Sequence, residues 1–484
     1  MNQRSILLAV CTVWALASGP VFGQGRTTRQ HRRNVEAGLL RAVTVKGDAA
    51  SERDLVDEMN RLHVPGVSIS IIHKGKIEWS EGYGVTARGG TRVVPQTLFQ
   101  AGSVSKPVAA LCIMRLAQQG TISLDEDVNH TLKSWKLPES SFMASRPVTP
   151  RDLLSHTAGT TVHGFEGYKR GDRVPSLSEV LDGVTPANSE PVRVTQAVGE
   201  QYRYSGGGYI ILQQLAEDAT HSPFAELAKT IVLKPIGMSR SSFQQPLDLS
   251  SKTSVAMPYD SSGTPIAGGP HTYPELAAAG LWTTSPDLAR FVLAVQRSRQ
   301  GESTKILSAQ NMRQMLTPVK SDWSLGFEIG GSPAAPYFYH DGANQGYKAT
   351  LVGYEHGGDG AVIMTNGDQG YELGLEIVRS IAKEYEWPDF HPITRTMLPM
   401  NAAAQSEFIG HYTIQDLGDF EVRLDGAILV AEIHAGVLEP LLASSDRSFF
   451  VTSQDLQMEF SSSVHPAGGQ IHAGAFHAVF KRLP

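Results

Sequence analysis

Cysteine is almost missing from this chain of 484 residues: only Cys11 and Cys112 occur. If residues 1–23 are removed as the leader described below, Cys112 stands alone, which excludes an intrachain disulfide even in an oxidising compartment. Long apolar stretches are missing too, and after the first twenty residues no segment has the length and apolarity of a membrane span. There is no basic excess. Lys and Arg number 42 against 48 Asp and Glu, a net charge of -6, which excludes the footprint of a nucleic-acid-binding protein. A local cluster of Arg26, Arg29, Arg32 and Arg33 reads as a solvated segment. No H-E-x-x-H zinc motif is present and the histidines are scattered, so neither a metal nor another cofactor is expected. A G-x-S-x-G elbow is absent as well, which counts against a Ser-His-Asp hydrolase of that architecture. Internal repeats are not found.

What is present first is a short leader. Arg4 supplies a positive start, "ILLAVCTVWALA" a short apolar run ended by Gly19-Pro20, and "VFG" a small-residue cleavage site before Gln24. Residues 1–23 therefore read as an export signal, and the expected location is periplasmic or secreted. A helix is expected over residues 52–62. The alternation in "PGVSISIIHKGKIEWSEGYG" then predicts a β-hairpin about Lys74-Gly75. "KPVAALCIMRLAQQG" has helical length, Pro107 in its first turn and Gly120 at its end. It is apolar on most sides, as a helix buried in a domain must be, and Cys112 within it reads as a core residue. Residues 121–320 mix short helices with loops. Strands return at "YKATLVGY" and "GAVIMTN", followed by the amphipathic helix "LGLEIVRSIAKEYE". Residues 391–406 carry prolines and little periodicity and read as a linker. Beyond them, two-residue alternation with Asp425-Gly426 and Gly-Gly turns predicts a small antiparallel β-domain over 407–484.

Two Ser-x-x-Lys sequences occur, "SVSK" (Ser103 to Lys106) and "SIAK" (Ser380 to Lys383). Residues three apart on a helix share a face, so Lys106 can reach the Ser103 hydroxyl. Ser103 follows Gly102 where a helix begins, and unpaired N–H groups there favour a developing negative charge. Ser380 lies inside a helix and lacks that setting. Alone, the first pair is equally an N-capping serine followed by a surface lysine. A lysine also needs burial before it can act as a base near neutral pH, and a neighbouring tyrosine can share the proton traffic. "YRYSGGGYIILQQL" offers Tyr204, followed by three glycines, and "YHDGANQGYKATLVGY" offers His340-Asp341-Gly342 before a strand.

Taken together, these motifs resemble the penicillin-recognising serine hydrolases: class C β-lactamases, D,D-carboxypeptidases and the related esterases and D-aminopeptidases. "RDLLSHTAGT", "KPIGMSRSSF", "AAAGLWTTSPDLARF" and "GAVIMTNGD" also look like that family, and the resemblance covers roughly residues 50 to 385. The region after the linker resembles, more loosely, a lipocalin-like barrel. The resemblance implies an α/β (α+β) fold of β-lactamase/transpeptidase type: an antiparallel sheet flanked by helices, a helical lobe, then a small antiparallel β-barrel. It implies Ser103 as the acylated nucleophile and Lys106 as an acceptor of its proton. Tyr204 would be general base and then acid, its pKa lowered by Lys106. His340 would polarise Tyr204 or contact a substrate carboxylate, and Gly342 would complete that third motif. The N–H groups of Ser103 and Ala343 would form an oxyanion hole. Members that act on β-lactams or peptides read Tyr-x-Asn where this chain has Gly206, a change expected to remove a substrate contact and open the pocket. The expected organisation is a signal (1–23), a hydrolase domain (24–390), a linker (391–406) and the β-domain (407–484). The expected activity is hydrolysis of small esters, D-amino-acid peptides or β-lactams, with a small molecule as partner and the β-domain open to a role in oligomerisation. The alternative is a penicillin-binding, receptor-like protein that is acylated but turns over poorly.

Overall fold

In the computed structural model, residues 21–48, 51–248, 254–414, 418–434, 437–474 and 476–484 are described. The expected leader lies outside the described residues except for its last three positions, where the helix Val21–Ala37 starts. The alternating stretch after it forms a hairpin, with Gly66–His73 antiparallel to Lys76–Gly84. Lys74 and Gly75 both take positive φ, 51° and 73°, as a two-residue hairpin loop requires. On the other side of Gly66–His73 come Gly360–Thr365, Tyr347–Tyr354, Ala335–Asn344 and Glu328–Ser332, every neighbour antiparallel, making six strands.

Both faces of this sheet are covered, and the alternation along a single strand shows how. Val362 and Met364 enter the larger core with residues of helix Ser285–Gln300, while Ala361 and Ile363 pack with helix Gly370–Glu384 on the opposite face. Burial on two faces explains why Gly360–Thr365 is apolar throughout rather than alternating with polar residues. The larger core continues into a helical lobe built around Ser105–Gln118 and Gly206–Thr220. Every residue from Val108 to Met114 is at most 1% exposed, so the apolar character of that helix on most sides reflects its central position. Cys112 is among them, a free and buried thiol whose pKa burial raises.

Residues 391–406 contain a three-residue strand, Ile393–Arg395, paired in parallel with Val43–Val45, and a short helix, Ala402–Ser406. The order there comes from a partner 350 positions away, which local periodicity does not register. Nine antiparallel strands follow. Their order runs Val437–Pro440, Ile428–His434, Gly418–Asp425, Gly410–Ile414, Phe476–Arg482, Gly468–Ala473, Leu456–Phe460, Ser448–Phe450 and Leu442–Ala443. The first and last of these are two halves of one bent segment, 437–443. It pairs with Ile428–His434 through Pro440 and with Ser448–Phe450 from Leu442 onward. The sheet is thereby a nearly closed barrel around Phe408, Tyr412, Phe449, Phe460 and Phe480. It is joined to the first domain by a small apolar contact of Ala42 and Val43 with Phe450, by Val43 N–H donating to the Thr452 carbonyl at 3.0 Å, and by Arg395 with Asp455 at 2.6 Å. Among the described residues no helix is long and apolar enough to cross a membrane.

Candidate active site

The seam between sheet and helical lobe is set by two glycines. Strand Ala335–Asn344 runs against the 3-10 turn Gly102–Val104 so closely that a Cβ on Gly342 would lie 1.9 Å from the Ala101 carbonyl oxygen. From the other side, Gly102 has φ of 51°, and a Cβ there would lie 2.5 Å from the Ala343 nitrogen. No other residue type fits either position without moving a backbone. The contact brings the Ala343 peptide alongside that of Ser103, and Asn344 ties the strand end to the lobe through Gln100 at 2.7 Å and the Ala279 carbonyl at 3.1 Å.

Ser103 sits in that turn and Lys106 in the first turn of the helix that follows. The Lys106 Nζ is 2.9 Å from Ser103 Oγ and donates to the Ala278 carbonyl at 3.0 Å. Lys106 is 2% exposed, and burial pushes its pKa down to about 7. The faces of Tyr204 and Tyr209 lie 4.9 and 5.8 Å from Nζ. The second Ser-x-x-Lys has a different surrounding: Ser380 donates to the Val35 carbonyl at 2.9 Å, and exposed Lys383 pairs with Glu52. Equal spacing in sequence therefore produces a serine-lysine contact at one site and none at the other.

Tyr204 is held by rings. His156 lies 4.3 Å, His163 4.8 Å and Trp323 5.5 Å away between centroids. Burial raises the Tyr204 pKa, opposed only in part by a hydrogen bond with Ser103. That direction is opposite to the lowering implied by the resemblance: desolvation of the phenolate outweighs the nearby amine, which burial itself has pushed toward its neutral form. His340 is 3% exposed and burial pushes its pKa down to about 3, with Lys106 adding to the effect. Its Nδ1 faces the Asp341 carbonyl at 2.5 Å, so Nδ1 carries the proton and Nε2 keeps a lone pair. A neutral ring brings no positive charge to a substrate carboxylate, and its centroid lies 6.3 Å from that of Tyr204.

Ser103, Lys106, Tyr204, His340, Gly342 and Ala343 all line one cleft of about 670 Å³. Gly206 does not. It opens helix Gly206–Thr220 behind the N-cap Ser205, its N–H donating to the His163 carbonyl at 3.0 Å, and a Cβ on it would meet Phe165 at 2.9 Å. The expectation that Gly206 opens the pocket is corrected: the loop residue Phe165 fills the space that a side chain would occupy. Sequence reasoning also missed His156, Trp323, Phe165 and Glu328. His156 lies in the quoted "RDLLSHTAGT", where its Nδ1 accepts from the Ser205 N–H at 3.1 Å and its backbone takes φ of 58°. The other three come from loops or a strand start without periodic signal. Among the described residues no group of three or more His, Cys, Asp or Glu could hold a metal ion.

An antiparallel sheet flanked by helices, with a helical lobe and a serine beside a buried lysine at their seam, defines a serine hydrolase of the penicillin-recognising class. The chain belongs to the Beta-lactamase family, whose model matches residues 52–385. Protein flp of Staphylococcus aureus (strain N315) is 25% identical over 246 residues, 49% of this chain and 46% of that protein. The chain thus spans about half the length of the curated relatives it matches. Among solved structures, the octameric penicillin-binding protein homologue from Pyrococcus abyssi superposes with a TM-score of 0.59 at 21% identity, covering 88% of this chain and 98% of that one. The D-amino acid amidase from Ochrobactrum anthropi SV3, complexed with L-phenylalanine amide, gives 0.56 at 17% identity, covering 74% and 99%. At these identities the likeness is one of fold.

Proposed function

We propose that the protein is an exported serine hydrolase that works through an acyl-enzyme on Ser103. The observation that carries this reading is a lysine 2.9 Å from Ser103 Oγ whose burial pushes it to about 7, so that a large fraction is an uncharged amine near neutral pH. Lys106 takes the Ser103 proton as Oγ attacks a carbonyl carbon. The oxyanion then forms beside the N–H groups of Ser103 and Ala343, donors worth roughly 3–4 kcal/mol each in comparable sites. Tyr204, kept as a phenol by burial and lining the same cleft as Ser103, is suited to pass a proton to the leaving group as the C–O or C–N bond breaks. Lys106 then passes the Ser103 proton on to Tyr204, which restores the phenol and the neutral amine; water attacks the acyl carbonyl as Lys106 accepts its proton, and Ser103 leaves with that proton returned to Oγ.

Small esters and D-amino-acid amides or peptides are the proposed substrates, with β-lactams turned over less efficiently. The description of the Ochrobactrum anthropi enzyme as a D-amino acid amidase supports that choice. Export is part of the proposal, checked by an N-terminus at Gln24 in protein recovered from the periplasm or medium. Ser103→Ala should abolish hydrolysis of p-nitrophenyl acetate and nitrocefin alike, and Ser380→Ala should leave both unchanged. Substantial turnover by folded Ser103→Ala protein overturns the assignment.

A further inference from the structure

Charge is unevenly distributed within the catalytic cleft. Among its lining cations, Lys348 is held by Asp368 at 2.6 Å, and burial shifts Lys106, His163 and His340 toward their neutral forms. Glu328 is different. Its half-buried carboxylate lines the same cleft, and among the described residues no hydrogen bond or ion pair reaches it. Tyr202, Tyr371 and Asp341, which line the same cleft, lie within reach of its charge. Burial, with Asp322 nearby, raises the Glu328 pKa, so the surroundings penalise the anion and an arriving cation would relieve that penalty.

Two further features point to the same kind of ligand. Trp323, bridged through its backbone to Glu328, stacks on Tyr202 with centroids 5.4 Å apart and planes at 17°, presenting aromatic surface beside the carboxylate. His340 lines the cleft with a buried Nε2 that has no partner, and because Nδ1 carries the proton this atom accepts rather than donates. A ligand carboxylate would meet carboxylates, a lone pair and no free fixed cation. An ammonium would meet a carboxylate, ring faces and an acceptor. We infer that the cleft selects esters and amides bearing a free ammonium group, recognised by Glu328, and disfavours substrates that carry a carboxylate. The inference rests on Ser103 being the nucleophile of this cleft. It places β-lactams and peptides with a terminal carboxylate low in the substrate order.

The test uses the full-length protein with methyl esters of D- and L-phenylalanine, their N-acetyl derivatives and the monomethyl ester of benzylsuccinic acid. The free-amine esters should exceed the N-acetyl esters in kcat/KM by about tenfold or more, with the half-ester slowest, and Glu328→Gln should reduce the free-amine preference about tenfold. An unchanged ratio in folded Glu328→Gln overturns the inference. A measurement on the unaltered protein guards against a variant that fails to fold: benzylamine should compete with p-nitrophenyl acetate and phenylacetate should not. Equal or reversed competition also overturns it. Ser103-dependent hydrolysis without ammonium preference removes only this inference, whereas hydrolysis surviving in Ser103→Ala removes the reading beneath it.

Discussion

Replacing Lys106 by Met should stabilise the protein while disabling it. A lysine pushed from 10.5 to about 7 carries a penalty in the folded state of roughly 5 kcal/mol when the unfolded chain is charged. Met fills the volume of the lysine stem without that penalty. Against the gain stand the contacts of Nζ with Ser103 and the Ala278 carbonyl, about 1 kcal/mol each, and the orphaned carbonyl, at about 1 kcal/mol more. A net gain of about 1–3 kcal/mol remains near pH 7, or about 2–8 °C in Tm. The pH dependence carries the sharper check. Between pH 7 and 10.5 the unfolded chain binds a proton that the folded chain does not, so wild-type stability rises with pH across that window. The advantage of Lys106→Met should therefore be largest at and below pH 7 and shrink toward pH 10. Thermal unfolding of both proteins, followed by near-ultraviolet circular dichroism from pH 6 to 10, measures it. A Tm difference that does not change with pH refutes the claim that Lys106 is held neutral by burial, whatever its sign.

For the wild type, kcat/KM for p-nitrophenyl acetate should fall about tenfold per pH unit below about 7, because protonated Lys106 cannot accept the Ser103 proton. Asp341 is also pushed to about 7, chiefly by burial, so the limb should persist in Asp341→Asn; its disappearance there would assign it to the aspartate. Gly342→Ala forces strand and turn apart by more than 1 Å, given the 1.9 Å approach to the Ala101 carbonyl. It should cost about 10²-fold in kcat/KM through misplacement of the Ser103 and Ala343 peptides. Wild-type kinetics in that variant would show that the close approach does not set the geometry.

The parts of the fold that are legible in sequence are those whose pattern is local. The hairpin about Lys74-Gly75 announces itself by alternation and a turn pair, and helix Ser105–Gln118 by length, Pro107 and Gly120. The bent strand 437–443 is not legible, because Pro440 interrupts it and its two halves answer to different partners. Within the site, Ser103 and Lys106 stand out because one helical turn relates them. Phe165 reaches the cleft from one segment, and Trp323 and Glu328 from another far along the chain, and no spacing rule connects either with Ser103. Gly206 was misread for a related reason. Deleting a side chain opens space only if nothing else enters, and the occupant arrives from a loop forty residues earlier.

The way the C-terminal sheet closes has a consequence for association between molecules. An open sheet presents a row of unpaired peptide groups along which a second chain can lay down another strand. Here the two outermost strands are consecutive halves of segment 437–443, so the final hydrogen-bonding positions are taken by a single stretch of the same chain. The edge left for backbone addition is thereby cut to the short strands 437–440 and 442–443, each paired with one neighbour only. The larger surface open to a neighbour is the outer wall, where Ile428 and Val479 are 52% and 60% exposed. An assembly built on that wall would be one of packed surfaces, separable by single polar substitutions at those positions, rather than a continuous sheet.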